Sequence, residues 1–387
     1  MNQENKNEAL VLVGNLCVLS LYPLLAACFK LKPTTVYYFR ASKVGLKIAG
    51  WLKTLRIISK EPVMVDDIYL IDSKENSYSI NMFESLNSCL KNQDRINNLV
   101  DKYLPEYDSY FRQVCAVGVR KQWQLWLQEL LFQLNRARVL AQERGIPVKN
   151  VILISQFSSF PNMLNVGSNI SGKIKTYLQP FENKVQQYLW GPLVYSLGQV
   201  MVSLFGLWNS FKKEMPFMEN RKPMVGVAAV WGVEGGDINK FDDFFWRHQS
   251  TVPLEQLVCM FERPDYQPTR DRLVSLEKIG IQSIVVDPQY SGDVIRARGR
   301  NQRLSLFNSL KGVLFYSKLV LRGLLGDRFA RSVCSLVSWQ IYKSEKLVRV
   351  YKKTNLRGLF HFEESGLESV TLATQQSNAA RIGVHWS

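Results

Sequence analysis

Residues 257–286 constrain the fold more than any other stretch, because they read as one complete strand–helix–strand unit. Leu257–Phe261 is a continuous apolar run, Pro268–Ile279 has helical spacing behind Thr269, Gly280 stops that helix, and Gln282–Val286 is a second strand-like run. A crossover helix joining two parallel strands takes about thirty residues. Parallel strands covered on both faces show unbroken apolar runs rather than alternation. Thr35–Phe39, Ile68–Ile71, Val151–Ile154 and Val225–Val230 are further runs of this kind. Between them, Ala41–Leu55 carries Val44, Ile48, Trp51, Leu52 and Leu55 at helical spacing, and Met82–Gly145 is mostly helical in pattern. The expected fold class is α/β, with Rossmann-like parallel sheets and added amphipathic or membrane-associated helices.

The amino-terminal segment Ala9–Phe29 holds 21 residues without a charge and is followed at once by Lys30 and Lys32. It is long enough to cross a hydrocarbon core of about 30 Å, although Asn15, Ser20 and Pro23 suit a helix lying in the interface equally well. Residues 1–32 are therefore expected to form an apolar membrane-associated helix, with the chain after it on the cytoplasmic face of the inner membrane. Two other readings stay open. Leu25-Ala26-Ala27-Cys28 resembles a lipoprotein cleavage site, though the region before it carries only Lys6 against Glu4 and Glu8; the whole segment also suits a buried helix of a soluble domain.

Charge points to the same kind of partner. The chain carries +16, but residues 9–60 hold eight basic residues and no acid, and residues 294–357 hold fifteen basic residues against Asp327 and Glu345. These two belts account for +21, so the rest of the chain is −5, as in an ordinary soluble domain. An anionic membrane surface fits belts placed beside an apolar segment. Residues 169–215, with the uncharged Tyr188–Trp208, form a second candidate for a helical pair dipping into the interface. The six cysteines (Cys17, Cys28, Cys89, Cys115, Cys259, Cys334) contain no CxxC pair and read as reduced core residues.

No GxGxxG, GxxxxGK[ST], HExxH or GxSxG motif is present, and His248, His361 and His385 are too dispersed for a histidine metal site; neither a metal nor a cofactor is expected. The segment Val230–Trp246 runs from a strand end into a loop rich in glycine and acid. At the carboxyl end of a parallel strand, Gly235 and Gly236 would let backbone approach a phosphate or sugar. Glu234, Asp237 or His248 would serve as the base for an acceptor hydroxyl, the alternative being solvated or helix-capping side chains. Arg263-Pro264-Asp265 follows the next strand, where Arg263 would grip a diphosphate or pair with Asp265 to fix the loop. Arg40 and Ser42 follow the strand Thr35–Phe39 in the same way.

The stretch from Gly226 to Thr269 resembles bacterial surface-carbohydrate, O-antigen and lipopolysaccharide-type biosynthesis proteins. The resemblance rests on Glu234-Gly235, Asp237, Asp243, Trp246, Ser250, Leu257 and Arg263-Pro264-Asp265, about 60 residues in all, with a looser likeness around residues 68–83. It implies a GT-B glycosyltransferase-like protein with two Rossmann-like domains, using a nucleotide sugar donor and a lipid-linked glycan acceptor. Four regions are expected: the helix 1–32, a Rossmann-like domain 33–290 with a helical insertion at about 165–220, a basic helical connection 291–360, and the start of a truncated second domain at 361–387. The strand-like Arg381–Ser387 suggests a fragment of a longer enzyme. A non-catalytic scaffold of a polysaccharide assembly complex is the competing reading. A nucleic-acid partner is not expected, since no recognised nucleic-acid module accompanies the basic belts.

Overall fold

The computed structural model describes residues 9–30, 34–65, 77–157, 174–178, 184–205, 222–228, 251–261, 270–285, 306–362 and 368–384. The apolar amino-terminal segment supplies the central strand of the first sheet. Strand β1 (Ala9–Leu16) lies between β2 (Thr34–Ala41) and β4 (Val151–Ser155), with β3 (Val63–Met64) and β5 (Lys175–Leu178) at the edges. All pairings are parallel, and the order is β3-β2-β1-β4-β5.

This corrects the membrane helix expected over residues 1–32. After β1 comes a single 3-10 turn at Val18–Ser20, and then helix α1 (Leu21–Lys30) of only ten residues. Strand β1 needs no charge because it is covered on both faces, Leu10 to Val13 being fully buried. A central parallel strand followed by a half-buried helix has the same uncharged length as one long helix, so hydropathy does not separate them. Leu24, Ala27 and Cys28 of α1 join Val11, Val13, Val36 and Ile152 in one core cluster. Burying each such Leu or Val side chain contributes roughly 1.5–3 kcal/mol before entropy is counted. Among the described residues, no helix is long and apolar enough to cross a membrane.

Helix α2 (Lys43–Thr54) follows β2, and α3 (Ser77–Lys91), α4 (Gln93–Tyr103) and α5 (Ser109–Glu143) fill the stretch expected to be helical. The expected strand Ile68–Ile71 lies outside the described residues. Helix α5 covers the first sheet, with Phe132 at 5.7 Å from Phe39 and Trp126 at 5.9 Å from Phe157, centroid to centroid.

The second sheet comprises β6 (Met224–Ala228), β7 (Leu257–Phe261), β8 (Gln282–Val285), β9 (Leu356–Phe362) and β10 (Ala380–Val384). It too is wholly parallel, in the order β10-β9-β6-β7-β8. The strand–helix–strand unit stands where the sequence puts it: α6 (Lys184–Phe205) precedes the sheet, α7 (Arg270–Lys278) joins β7 to β8, and Gly280 ends the turn at φ +86°. Numbered within its own sheet, each set of strands has the order 3-2-1-4-5, that of the first five strands of a doubly wound α/β sheet.

The chain divides into one unit of residues 1–105, 119–190 and 321–336, and another of residues 106–118, 191–320 and 337–387. This differs from the expected boundaries. Strands β6, β7 and β8, expected in a first domain at 33–290, pair with β9 and β10 instead. Among the described residues, the expected insertion at about 165–220 holds β5, an edge strand of the first sheet, and helix α6. Within the expected basic helical region 291–360, the described residues form α8 (Leu306–Leu325), α9 (Arg328–Lys353) and most of β9, and residues 291–305 lie outside the described residues. Residues 361–387 contain the end of β9, α10 (Glu368–Ser377) and β10, the outer strand of the second sheet. The order of apolar runs along a chain does not say which runs pair, and this is where the boundaries went astray. All six cysteines are buried and none is in a disulfide, in line with the core reading of their apolar surroundings.

Candidate functional site

In a doubly wound sheet, ligands bind outside the carboxyl ends of the strands, where the order reverses about the first strand. Here that point falls between β1 and β4 in the first unit and between β6 and β9 in the second.

In the first unit the turn after β1 is closed by its own hydrogen bonds. The Ser20 hydroxyl donates to the Cys17 carbonyl (2.8 Å), while the Cys17 N–H donates to Ser20 Oγ (3.0 Å). Ser42, one of the expected binding residues, caps α2: its Oγ accepts from the Gly45 N–H at 2.9 Å, and its own N–H donates to the Leu16 carbonyl at 3.0 Å. These bonds give Ser42 a structural role in holding α2 against β1. Gly45 is required by that approach, since a Cβ there would stand 2.0 Å from the Leu16 carbonyl oxygen. Arg40 is exposed at the end of β2.

A side chain without a sequence signal lies beside the same strand. Gln133 of α5 is 3% exposed and sits over Gly14 of β1, where an added Cβ would come within 3.1 Å of its amide nitrogen. That nitrogen donates to Glu129 Oε1 at 3.4 Å, whereas Oε1 of Gln133 is buried without a hydrogen bond. A buried amide oxygen of this kind is satisfied by a hydroxyl or water brought to it. Gln133 is one of many glutamines in a Gln-rich helix, and only the Gly14 break after the apolar run Ala9–Val13 hints at it.

In the second unit, β6 ends at Ala228, at the reversal point between β6 and β9, and the acidic, glycine-bearing segment follows it in the sequence. Likewise Arg263-Pro264-Asp265 follows the end of β7 at Phe261. Glu234, Gly235, Gly236, Asp237, His248, Arg263 and Asp265 themselves lie outside the described residues. The structure adds Glu368, the buried first residue of α10, the next described element after β9. Gly118 of α5 makes room for it, because a Cβ there would meet Gln340 Nε2 at 2.2 Å and Glu368 Cγ at 2.9 Å. Burial, reinforced by the nearby Glu368 charge, pushes the Cys115 thiol up, so this cysteine is no nucleophile. A carboxylate at a helix start stabilises the helix. An acid opening a helix just after a strand end is the signal that would have found it. Among the described residues, no group of three or more metal-ligating side chains occurs.

The surface of α2 is basic and apolar at once. Trp51 is 76% exposed, Val44 and Leu55 are exposed beside it, and Lys43, Lys47 and Lys53 lie among them. Among the described residues, only Lys53 of these pairs with an acid, Glu61, at 2.6 Å. An interfacial helix has this make-up.

Compared with known proteins, the chain matches no protein-family model, no curated protein and no solved structure.

Proposed function

We propose that this chain is a membrane-associated, GT-B-type glycosyltransferase of bacterial surface-polysaccharide biosynthesis, moving a sugar from a nucleotide sugar to a lipid-linked acceptor at the cytoplasmic face of the inner membrane. The observation that carries the reading is the repeated order 3-2-1-4-5: one chain holds two parallel sheets of nucleotide-binding type. The acidic, glycine-bearing segment follows in sequence the first strand of the second sheet, whose carboxyl end lies at the reversal point where such a fold takes a nucleotide, and this supports the reading.

In this reading Arg263 holds the donor diphosphate by a bidentate contact, and Gly235 and Gly236 let backbone N–H groups approach it. Glu234, Asp237 or His248 takes the proton from the acceptor hydroxyl. The hydroxyl oxygen forms the new bond to the anomeric carbon as the sugar–phosphate C–O bond breaks, and the nucleoside diphosphate leaves with the electron pair. Glu368 accepts hydroxyls of the donor. The exposed face of α2 and its lysines meet anionic headgroups near the acceptor.

Thermal shift of the full chain against a panel of nucleoside diphosphates and nucleotide sugars tests the reading. One donor is expected to raise the melting temperature, Arg263→Ala to abolish that rise, and Glu234→Gln to keep binding while losing transfer. A panel without any shift overturns the transferase reading in favour of the non-catalytic scaffold.

A further inference from the structure

Two helices that lie mostly in the second unit bury apolar residues such as Leu193, Tyr316 and Leu319, but they also bury polar side chains while turning an apolar stripe outward. In α6, Ser196 and Gln199 are buried, while Val194, Leu197, Met201 and Leu204 are exposed at spacings of three and four. In α8, Ser309 is fully buried and Phe307, Leu310 and Leu314 are exposed, Leu314 at 72% and Phe307 at 64%. The two helices meet through small and polar groups: a Cβ on Gly312 of α8 would lie 3.1 Å from Ser196 Oγ of α6. A helix of a water-soluble domain turns its apolar stripe to the core and its polar face out. Small and hydroxyl-bearing residues between helices, with Leu, Val and Phe outside, is how helices pack when lipid is the solvent.

Charge selects the occupant of this face. Neither α6 nor α8 contains an Asp or Glu. Lys311 and Lys318 lie along the exposed stripe of α8, and the Lys311 ammonium is 4.4 Å from the Phe307 ring centroid. A second copy of the chain would bring lysines against lysines with no acid to neutralise them. An anionic bilayer offers acyl chains to the stripe and phosphates to the lysines, which reach out along apolar stems. We propose that α6 and α8 together form a monotopic anchor, their shared apolar face seated in the interface of an anionic bilayer. Neither helix crosses it, in keeping with the absence of a spanning helix among the described residues. The proposal rests on the membrane location in the functional reading above and gives it a specific surface, independent of the donor chemistry.

The test is flotation of the full chain with phosphatidylcholine vesicles, with and without phosphatidylglycerol, at about 0.1 M salt, with circular dichroism to confirm the fold. Wild type is expected to float with the anionic vesicles. Leu197→Glu/Leu314→Glu, at exposed positions, is expected to lose most of this binding. Lys311→Gln/Lys318→Gln keeps the apolar face and serves if the first variant fails to fold. It is expected to lower the anionic partition by roughly thirty-fold, about fivefold per lysine from ~1 kcal/mol for each basic residue at such a surface. Both variants floating like wild type, or wild type ignoring both vesicle types, overturns the anchor. A wild-type dimer in light scattering that the glutamate variant splits into monomers also overturns it, making the face a self-association seam. A nucleotide-induced thermal shift that survives alongside any of these failures leaves the transferase reading standing.

Discussion

Gly45→Ala, set beside Gly50→Ala in the same helix, isolates the contact that fixes α2 against the central strand. An ideal Cβ at Gly45 falls 2.0 Å from the Leu16 carbonyl oxygen, and that atom is backbone in the middle of a sheet, so it cannot swing aside. Restoring an ordinary carbon–oxygen contact needs α2 to retreat by more than ~1 Å. That movement breaks the hydrogen bond from the Ser42 N–H to Leu16 O (3.0 Å) and strains the cap from Gly45 to Ser42 Oγ (2.9 Å). Losing that backbone bond costs about 1–1.5 kcal/mol and weakening the cap about 1 kcal/mol, against a gain of about 0.5–1 kcal/mol in helix propensity. The net expectation is a destabilisation of about 1–2 kcal/mol. At Gly50 no atom lies within 4 Å of an added Cβ, so the same substitution keeps only the propensity gain and stabilises by about 0.5–1 kcal/mol. Urea unfolding of both variants measures the difference. Equal shifts of one sign would refute the close approach of α2 to β1.

Two further predictions follow from single contacts. The indole N–H of fully buried Trp123 donates to Ser332 Oγ at 2.8 Å, so Ser332→Ala orphans a buried donor and is expected to cost about 1–3 kcal/mol in urea unfolding; in a Trp123→Phe background the same change should cost much less. Burial raises the Glu345 carboxyl from its ordinary 4.5, with the Tyr316 hydroxyl bond (2.9 Å) opposing, so the folded state holds this proton more tightly than the unfolded chain. Stability therefore falls as pH rises from 4.5 through the raised value, and Glu345→Gln, which keeps an acceptor for Tyr316, should gain on wild type across that window in thermal unfolding. A difference that stays flat or shrinks with pH would show the carboxylate to be compensated.

The element types were legible where period and punctuation agreed. Strand β7 matches the run Leu257–Phe261, and Gly280 stops α7 because its backbone takes the left-handed conformation that glycine adopts freely. Strand β1 was hidden because a strand buried on both faces and a membrane helix share the same uncharged composition, and α1 directly after it lengthened the run. Pairing was not legible at all: Met224–Ala228 looks like one more strand of a growing sheet, yet it is the centre of a second one. Of the expected site, Ser42 turned out to serve a helix cap. Gln133 and Glu368 were missed because each owes its interest to a glycine on another element, Gly14 and Gly118, far away in sequence. The helix pair α6 and α8 shows why hydropathy was only half a guide, since it registers their apolar content but not which face is turned outward.

Hydrogen–deuterium exchange of the full chain with and without the nucleoside diphosphate that shifts its melting temperature tests the central claim most directly. The account predicts slowed exchange concentrated in the segments that follow β6 and β7, residues 229–246 and 262–269, and at the start of α10. Slowing confined to other segments, or none at saturating nucleotide, would contradict a donor site at the reversal point of the second sheet.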